Sequence, residues 1–240
     1  MKYMGGKFRQ SKAIVEVLRP YITSDTVYVE PFCGGLNSAS RVAKELKPKN
    51  MMLNDANKSL VLMHEKCYHE GVDWLPLDVS RETFNDYKAR QPEDDPLTAW
   101  IGIGYCLLPD WFHSYAPYSA ESVKNGHRRC MKWLGNCTNV QFSYGDYKDM
   151  KIPDGAVVYL DPPYDPKGGY HNKEFNIPAF WEWARKLSKR CIVFASCFNC
   201  PADFETVYEW GNTVTLKSRV TGAQRRRIEN ERLVKYNEAD

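Results

Sequence analysis

Residues 156–160 read Ala-Val-Val-Tyr-Leu, and the next four are Asp161-Pro162-Pro163-Tyr164. An unbroken apolar run of this kind is what a strand buried on both faces looks like. It stops at an acid and two prolines, which cannot continue a hydrogen-bonded ladder. Doubly buried strands belong to sheets covered by helices, so the stretch narrows the fold to α/β. It also places Asp161 at the carboxyl end of a central strand, where ligands bind in open α/β sheets.

The N-terminal third supports the same class. Residues 26–29 (Thr-Val-Tyr-Val) form a short β-rich run, followed by Glu30-Pro31-Phe32-Cys33-Gly34-Gly35 and a helical stretch over 36–46. Met51-Met52-Leu53 is a second apolar run that ends in Asn54-Asp55, and residues 58–68 are again helical in composition. Strand, glycine turn, helix, strand and helix make a βαβ unit. Further on, 177–188 is expected to be helical and 191–195 a buried strand. Residues 206–210 and 213–217 are expected to close the sheet as two edge strands.

Between Asp55 and the next convincing strand, residues 140–143, lie more than eighty residues. A crossover needs only ~30. The surplus holds Trp74, Trp100, Trp111 and Trp133, with helices expected over 81–90 and 97–107 on either side of the break at 91–96. The expected organisation is therefore a core of 1–72 and 138–240, with a small, mainly helical domain of 73–137 set into it.

Two constellations carry chemistry. A glycine turn after the first strand lets a ligand approach the backbone, and an acid about twenty residues on, at the tip of the second strand, accepts bonds from ribose hydroxyls. Gly35 and Asp55 have that spacing. The turn is not G-x-G-x-x-G and no cation awaits a pyrophosphate, which favours a nucleoside without phosphates over NAD; a purely steric glycine turn is the alternative. In Asp161–Tyr164 the prolines remove two N–H donors, leaving a carboxylate, backbone carbonyls and an aromatic face. Such a set suits a flat ring bearing an exocyclic amine. The alternative is a proline-rich turn with a capping aspartate.

The net charge of +3 identifies no partner, but its distribution is informative. From Lys217 to Lys235 there are seven Lys or Arg, including Arg225-Arg226-Arg227, against Glu229 and Glu231, and a second cluster comprises Lys124, His127, Arg128, Arg129 and Lys132. Such patches neutralise phosphates or form solvated faces. No apolar run approaches the ~18 residues of a membrane span. The start, Met1 to Lys7, lacks a signal peptide's apolar stretch, so a cytoplasmic protein with eight reduced cysteines is expected. Cys197-x-x-Cys200 has no well-spaced partner pair, and no metal site is expected.

Taken in order, these segments resemble the DNA adenine methyltransferases of the Dam type (D12 class, alpha group). Tyr3-Met4-Gly5-Gly6-Lys7 is similar to that family's N-terminal cofactor-contacting element. Tyr28-Val29-Glu30-Pro31-Phe32-Cys33-Gly34-Gly35 resembles its S-adenosylmethionine loop, Leu53-Asn54-Asp55 its acid-tipped strand, and Phe142 to Tyr147 its adenine-holding segment. Asp161-Pro162-Pro163-Tyr164 matches its catalytic tetrapeptide. The resemblance implies a Rossmann-like S-adenosylmethionine-dependent methyltransferase sheet with an inserted target-recognition domain. It also implies methyl transfer to N6 of a flipped adenine in double-stranded DNA.

On that resemblance Asp161, Pro162, Pro163 and Tyr164 are catalytic. Tyr3, Lys7, Glu30, Pro31, Phe32, Gly34, Gly35, Asn37, Asp55, Asp146, Tyr147 and Asp161 bind the cofactor. The insertion would face DNA through Tyr105, Trp111, His113, Tyr115, Lys124, Arg128 and Arg129, joined by Arg225, Arg226 and Arg227. Residues 165–176 are expected to close over the base, or to be an ordinary exposed loop. No membrane and no obligatory protein partner are implied. An RNA methyltransferase acting on an exocyclic amine, and a catalytically silent DNA-binding relative, are the competing readings.

Overall fold

The computed structural model describes residue 3 and residues 5–108, 111–163, 175–217 and 224–236; within the last two strands nothing is described of the side chains of 212–217 and 224–229. The chain opens with helix α1 (Ser11–Leu18), whose Ser11, Ile14, Val15 and Leu18 point inward at helical spacing. Strand β1 (Val27–Glu30), helix α2 (Asn37–Glu45), strand β2 (Asn50–Asp55) and helix α3 (Lys58–Glu70) follow, as expected of a βαβ unit. Helices α4 (Arg81–Arg90), α5 (Pro96–Gly104) and α6 (Ala120–Leu134) precede strand β3 (Asn139–Tyr144). Strand β4 (Val157–Leu160), helix α7 (Ile177–Ser188) and strands β5 (Ile192–Cys197), β6 (Phe204–Lys217) and β7 (Gln224–Tyr236) complete the chain.

The strands form one sheet in the order β3-β2-β1-β4-β5-β7-β6. The first five are mutually parallel, whereas β7 runs antiparallel to β5 and β6. From β1 the chain winds outward through β2 to β3; from β4 it winds the other way through β5. The reversal leaves a crevice at the carboxyl ends of β1 and β4, the place for ligands in a doubly wound sheet. This is the expected Rossmann-like methyltransferase fold.

Alternate residues of each strand feed opposite layers. Tyr28, Val157, Tyr159, Phe194 and Leu233 join a large apolar cluster that also takes residues of α1, α2, α3, α5 and α6. Val29, Val158, Leu160, Val193, Ala195 and Val234 pack with Phe180, Trp181, Ala184 and Leu187 of α7 on the other face. The helices of the 73–137 segment thus lie in the same cluster as α2 and α3, with Trp100, Leu134 and Leu36 all fully buried there.

Two elements differ from expectation. The separate edge strands at 206–210 and 213–217 are one strand, β6, continuing through Gly211. The basic run Arg225–Arg227, for which no strand was expected, belongs to β7, its backbone paired with Leu216, Thr215 and Val214. Among the described residues no helix is long and apolar enough to cross a membrane. The eight cysteines stand outside any disulfide among the described residues, and Cys200 alone is not fully buried.

Candidate active site

The segments after β1, β2, β3 and β4 converge on one cavity of about 470 Å³. Its wall includes Tyr3, Lys7, Pro31, Phe32, Gly34, Gly35, Asn37, Asp55, Asp146, Tyr147, Asp161 and Pro163. Two-residue alternation in β2 leaves Asp55 at the sheet's carboxyl edge, where its Oδ2 accepts from Gly34 N (2.9 Å) and its Oδ1 from Asn57 N (3.0 Å). That carboxylate ties the glycine turn to the start of α3, which Asn57 caps by accepting from Leu60 N. Asn54 braces the neighbouring turns, donating to the carbonyls of Pro31 and Gly145.

The turn itself is shaped by close approach. Gly34 has φ +41°, and a Cβ there would stand 3.1 Å from the Tyr3 ring. A Cβ on Gly6 would meet Asn37 Nδ2 at 2.7 Å and Tyr3 O at 2.9 Å. Only glycine lets the N-terminal segment lie against the turn. Leu36, a non-glycine residue, is also left-handed (φ 59°) where the turn enters α2, a strained conformation of the kind found beside ligand sites.

Glu30 was expected to contact the cofactor, and the structure corrects this. It is fully buried below the turn rather than on the cavity wall, where its carboxyl accepts from Tyr28 Oη (2.5 Å) and Ser38 Oγ (3.0 Å). Burial drives its pKa up to about 8, against the lowering effect of those two bonds. Pro162 is likewise buried and off the cavity wall.

Lys7 is nearly inaccessible, and its ammonium meets three acceptors: Asp161 Oδ1 at 2.7 Å, Glu231 Oε1 at 3.2 Å and Gly5 O at 3.0 Å. Burial opposes its charge, but the two acids outweigh burial and raise its pKa. On the far wall Asp146 caps a short 3-10 turn through Lys148 N (2.9 Å). Tyr147 lies among Phe32, Phe175 and Trp183, with ring centroids 5.0, 5.8 and 4.8 Å away. Tyr164 lies outside the described residues, as do Met4 and residues 165–174.

Beneath the turn, His64 Nε2 bonds the Gly34 carbonyl at 2.7 Å, and its ring lies 5.1 Å from that of His127. Burial lowers the pKa of His64 to about 3 and holds that of His127 well below its ordinary value, so both rings are neutral.

The DNA-facing set fares unevenly. Tyr105 is fully buried, donating to Pro76 O at 2.9 Å, because the aromatic loop folds back to complete the helical layer. Lys124 is buried too, with Nζ on the carbonyls of Leu75 (2.7 Å) and Asp73 (3.3 Å), and His127 belongs to the core. Tyr105 and Lys124 are corrections to that set, their polar atoms bonded within the fold, and His127 is a core member of what read as a basic cluster. Tyr115 and Trp111 are half-buried and spend their donors on Val79 O and Gln91 Oε1. His113, Arg128 and Arg129 are exposed; Arg128 pairs with Asp73, and Arg129 lies over the Phe8 and Trp133 rings. The most exposed aromatic on the loop is Tyr118, at 75%. The side chains of Arg225, Arg226 and Arg227 lie outside the description.

Sequence reasoning gave no site role to Glu93 or Glu231, and placed Phe175 only within the segment 165–176 expected to close over the base. Glu93 reaches the cavity wall from the break between α4 and α5, and Phe175 from the approach to α7. Neither belongs to a motif. Glu231 stands on β7 in a charged run, Glu-Asn-Glu-Arg, where strand alternation alone marked it as inward.

Sheet order, reversal point and cavity together define a Rossmann-like methyltransferase fold. Residues 3–94, less than half of the chain, match the family model of the D12 class N6 adenine-specific DNA methyltransferases. That match does not distinguish the Dam type within the class. Among solved structures the chain is similar to the YcgJ protein of Bacillus subtilis, at 7% identity and TM-score 0.46 over 96% of this chain and 99% of that one. It is similar to a precorrin 8W decarboxylase of Methanobacterium thermoautotrophicum at 11% identity and TM-score 0.41, over 95% and 90%. It is also similar to an rRNA methylase of Streptococcus thermophilus at 7% identity and TM-score 0.39, over 94% and 95%. None of these overlaps bears on chemistry.

Proposed function

We propose that this chain transfers a methyl group from S-adenosylmethionine to N6 of an adenine flipped out of double-stranded DNA. The observation that carries the reading is a single cavity in which the acid and proline of Asp161-Pro162-Pro163 face the glycine turn, Asp55 and Asp146.

The cavity fits the cofactor by its donor set. Among the described residues its wall bears the acids Asp55, Glu93, Asp146 and Asp161 against the cations Lys7 and Lys148, and Lys7 is held by two carboxylates. A cationic, phosphate-free nucleoside suits that balance; a pyrophosphate does not. When bound, S-adenosylmethionine supplies an electrophilic methyl on a sulfonium. Asp55 would accept from ribose hydroxyls and Asp146 from the adenine amine, and Tyr147 with Phe32 would flank the ring.

On the substrate side, Asp161 would accept a hydrogen bond from the N6 amine, leaving the nitrogen lone pair free to face the cofactor. Lys7, on Oδ1, fixes the carboxylate's orientation. Tyr164 stacks on the extruded base. Extrusion costs a few kcal/mol, and the transfer is then governed by positioning.

The helical segment 73–137 is the proposed target-recognition region, presenting His113, Tyr118, Arg128 and Arg129, with Arg225–Arg227 on the β6–β7 hairpin. The match of residues 3–94 to a DNA-methylating family favours DNA over RNA.

The test supplies tritiated S-adenosylmethionine with mixed-sequence duplex DNA, and structured RNA in parallel, to the wild-type chain and Asp161→Ala. Label is expected in N6-methyladenine of DNA, at least 100-fold lower in the variant. Label confined to RNA would replace the substrate; DNA binding without transfer would remove the activity.

A further inference from the structure

We propose that Glu231, on β7, is a positioning residue for methyl transfer, acting on Asp161 through Lys7. The assignment rests on the methyltransferase reading above. It arises from three charges that are distant in sequence and adjacent in space: Asp161 Oδ1, Lys7 Nζ and Glu231 Oε1 stand in a row, at 2.7 and 3.2 Å. Lys7 and Glu231 are 4% and 3% exposed, so the two charges are largely shielded from bulk solvent and depend on each other's field. Glu231 Oε2 is itself held by Gln10 Nε2 at 3.3 Å.

The sheet accounts for the meeting. Leu160 is level with Ala195, and Ala195 with Val234, so β7 passes two strands from β4 and delivers Glu231 beyond the carboxyl edge. Lys7 arrives from the other direction, its carbonyl accepting from Ser11 N at the start of α1 (2.7 Å).

A buried ammonium facing one carboxylate draws that carboxylate into a tight pair and weakens it as an acceptor. A second acid on the same ammonium divides its field and keeps the lysine protonated. Glu231 thus leaves Asp161 oriented by Lys7 without surrendering its basicity to it. Among the described residues Glu30, Tyr28 and Tyr159 also face Asp161, and Tyr159 and Cys197 face Glu231.

Removing the Glu231 charge lowers the pKa of both Lys7 and Asp161, since each loses a neighbouring anion. Both limbs of the kcat–pH profile therefore move to lower pH in Glu231→Gln, the alkaline limb by about one unit. A misaligned acceptor lowers kcat roughly tenfold or more, while KM for cofactor and DNA stays within about threefold.

The experiment compares the full-length wild type, Glu231→Gln and Glu231→Asp in kcat and KM across pH, alongside NMR titration of the Lys7 side chain. Expected are the shifted limbs and a lowered Lys7 titration in Glu231→Gln. In Glu231→Asp, which keeps the charge but shortens the arm, kcat falls and the limbs stay in place. Wild-type kcat with unmoved limbs in Glu231→Gln overturns the assignment. Should that variant fail to fold, wild-type kcat in Glu231→Asp overturns it equally. If the wild type methylates no DNA, the function reading fails by itself, and an unmoved Lys7 titration in Glu231→Gln then decides against the coupling separately.

Discussion

Glu30 shows how one buried group makes the fold pH-dependent. Its folded pKa of about 8 lies above the ordinary 4.5, so the folded chain keeps a proton that the unfolded chain releases. Stability accordingly falls as pH rises from about 4.5 and levels off above about 8. The depressed histidines act in the opposite sense, costing stability as pH falls from 6.5, for His64 toward about 3. Above pH ~6.5 Glu30 acts without them. Thermal melts from pH 6.5 to 9 should show wild-type stability declining by an amount on the order of a few kcal/mol. Glu30→Gln, which keeps an acceptor for Tyr28 and Ser38, should flatten that decline; an unchanged slope would assign it elsewhere.

Among the elements, α6 explains why a helix of fifteen residues escaped sequence reading. Its inward positions are Ala120, Val123, Lys124, His127, Cys130, Met131 and Leu134, a regular helical stripe in which two members are polar. Counted as a basic patch, Lys124 and His127 hid the period that they complete. Both ring nitrogens of His127 lack a hydrogen-bond partner among the described residues. His127→Phe removes that cost while keeping the contact with His64. Denaturant unfolding at pH 7 should find it at least as stable as wild type, with acid unfolding displaced to lower pH; a loss above ~2 kcal/mol would show the nitrogens to be satisfied. The β6–β7 hairpin makes a different prediction. If Arg225, Arg226 and Arg227 lie on phosphates, replacing all three with Ala should weaken DNA binding for every sequence. The slope of log K against log salt should become shallower by about 2.7. An unchanged slope would leave the run as a solvated strand face.

At the scale of the whole molecule, α5 and α6 share one apolar cluster with α2, α3 and the sheet, so the 73–137 segment has no core closed off from the rest. Calorimetry should accordingly give a single unfolding transition, with calorimetric and van't Hoff enthalpies in agreement; two resolved transitions would restore an independent insert. The sequence by itself determined the parallel centre of the sheet, the glycine turn with Asp55, and the placing of Asp161 at a strand end. Each of these is written within a few consecutive residues, because strand burial and turn chemistry are local. Only the tertiary structure decided that Lys124, His127 and Tyr105 face inward, and that Glu30 lies below the cavity rather than on it. It alone joined Lys7 to Asp161 and to Glu231, whose neighbour in the network, Gln10, is 221 positions away along the chain. A buried charge is stable only beside its counter-charge, and which residues meet is a property of strand order, not of spacing in the chain.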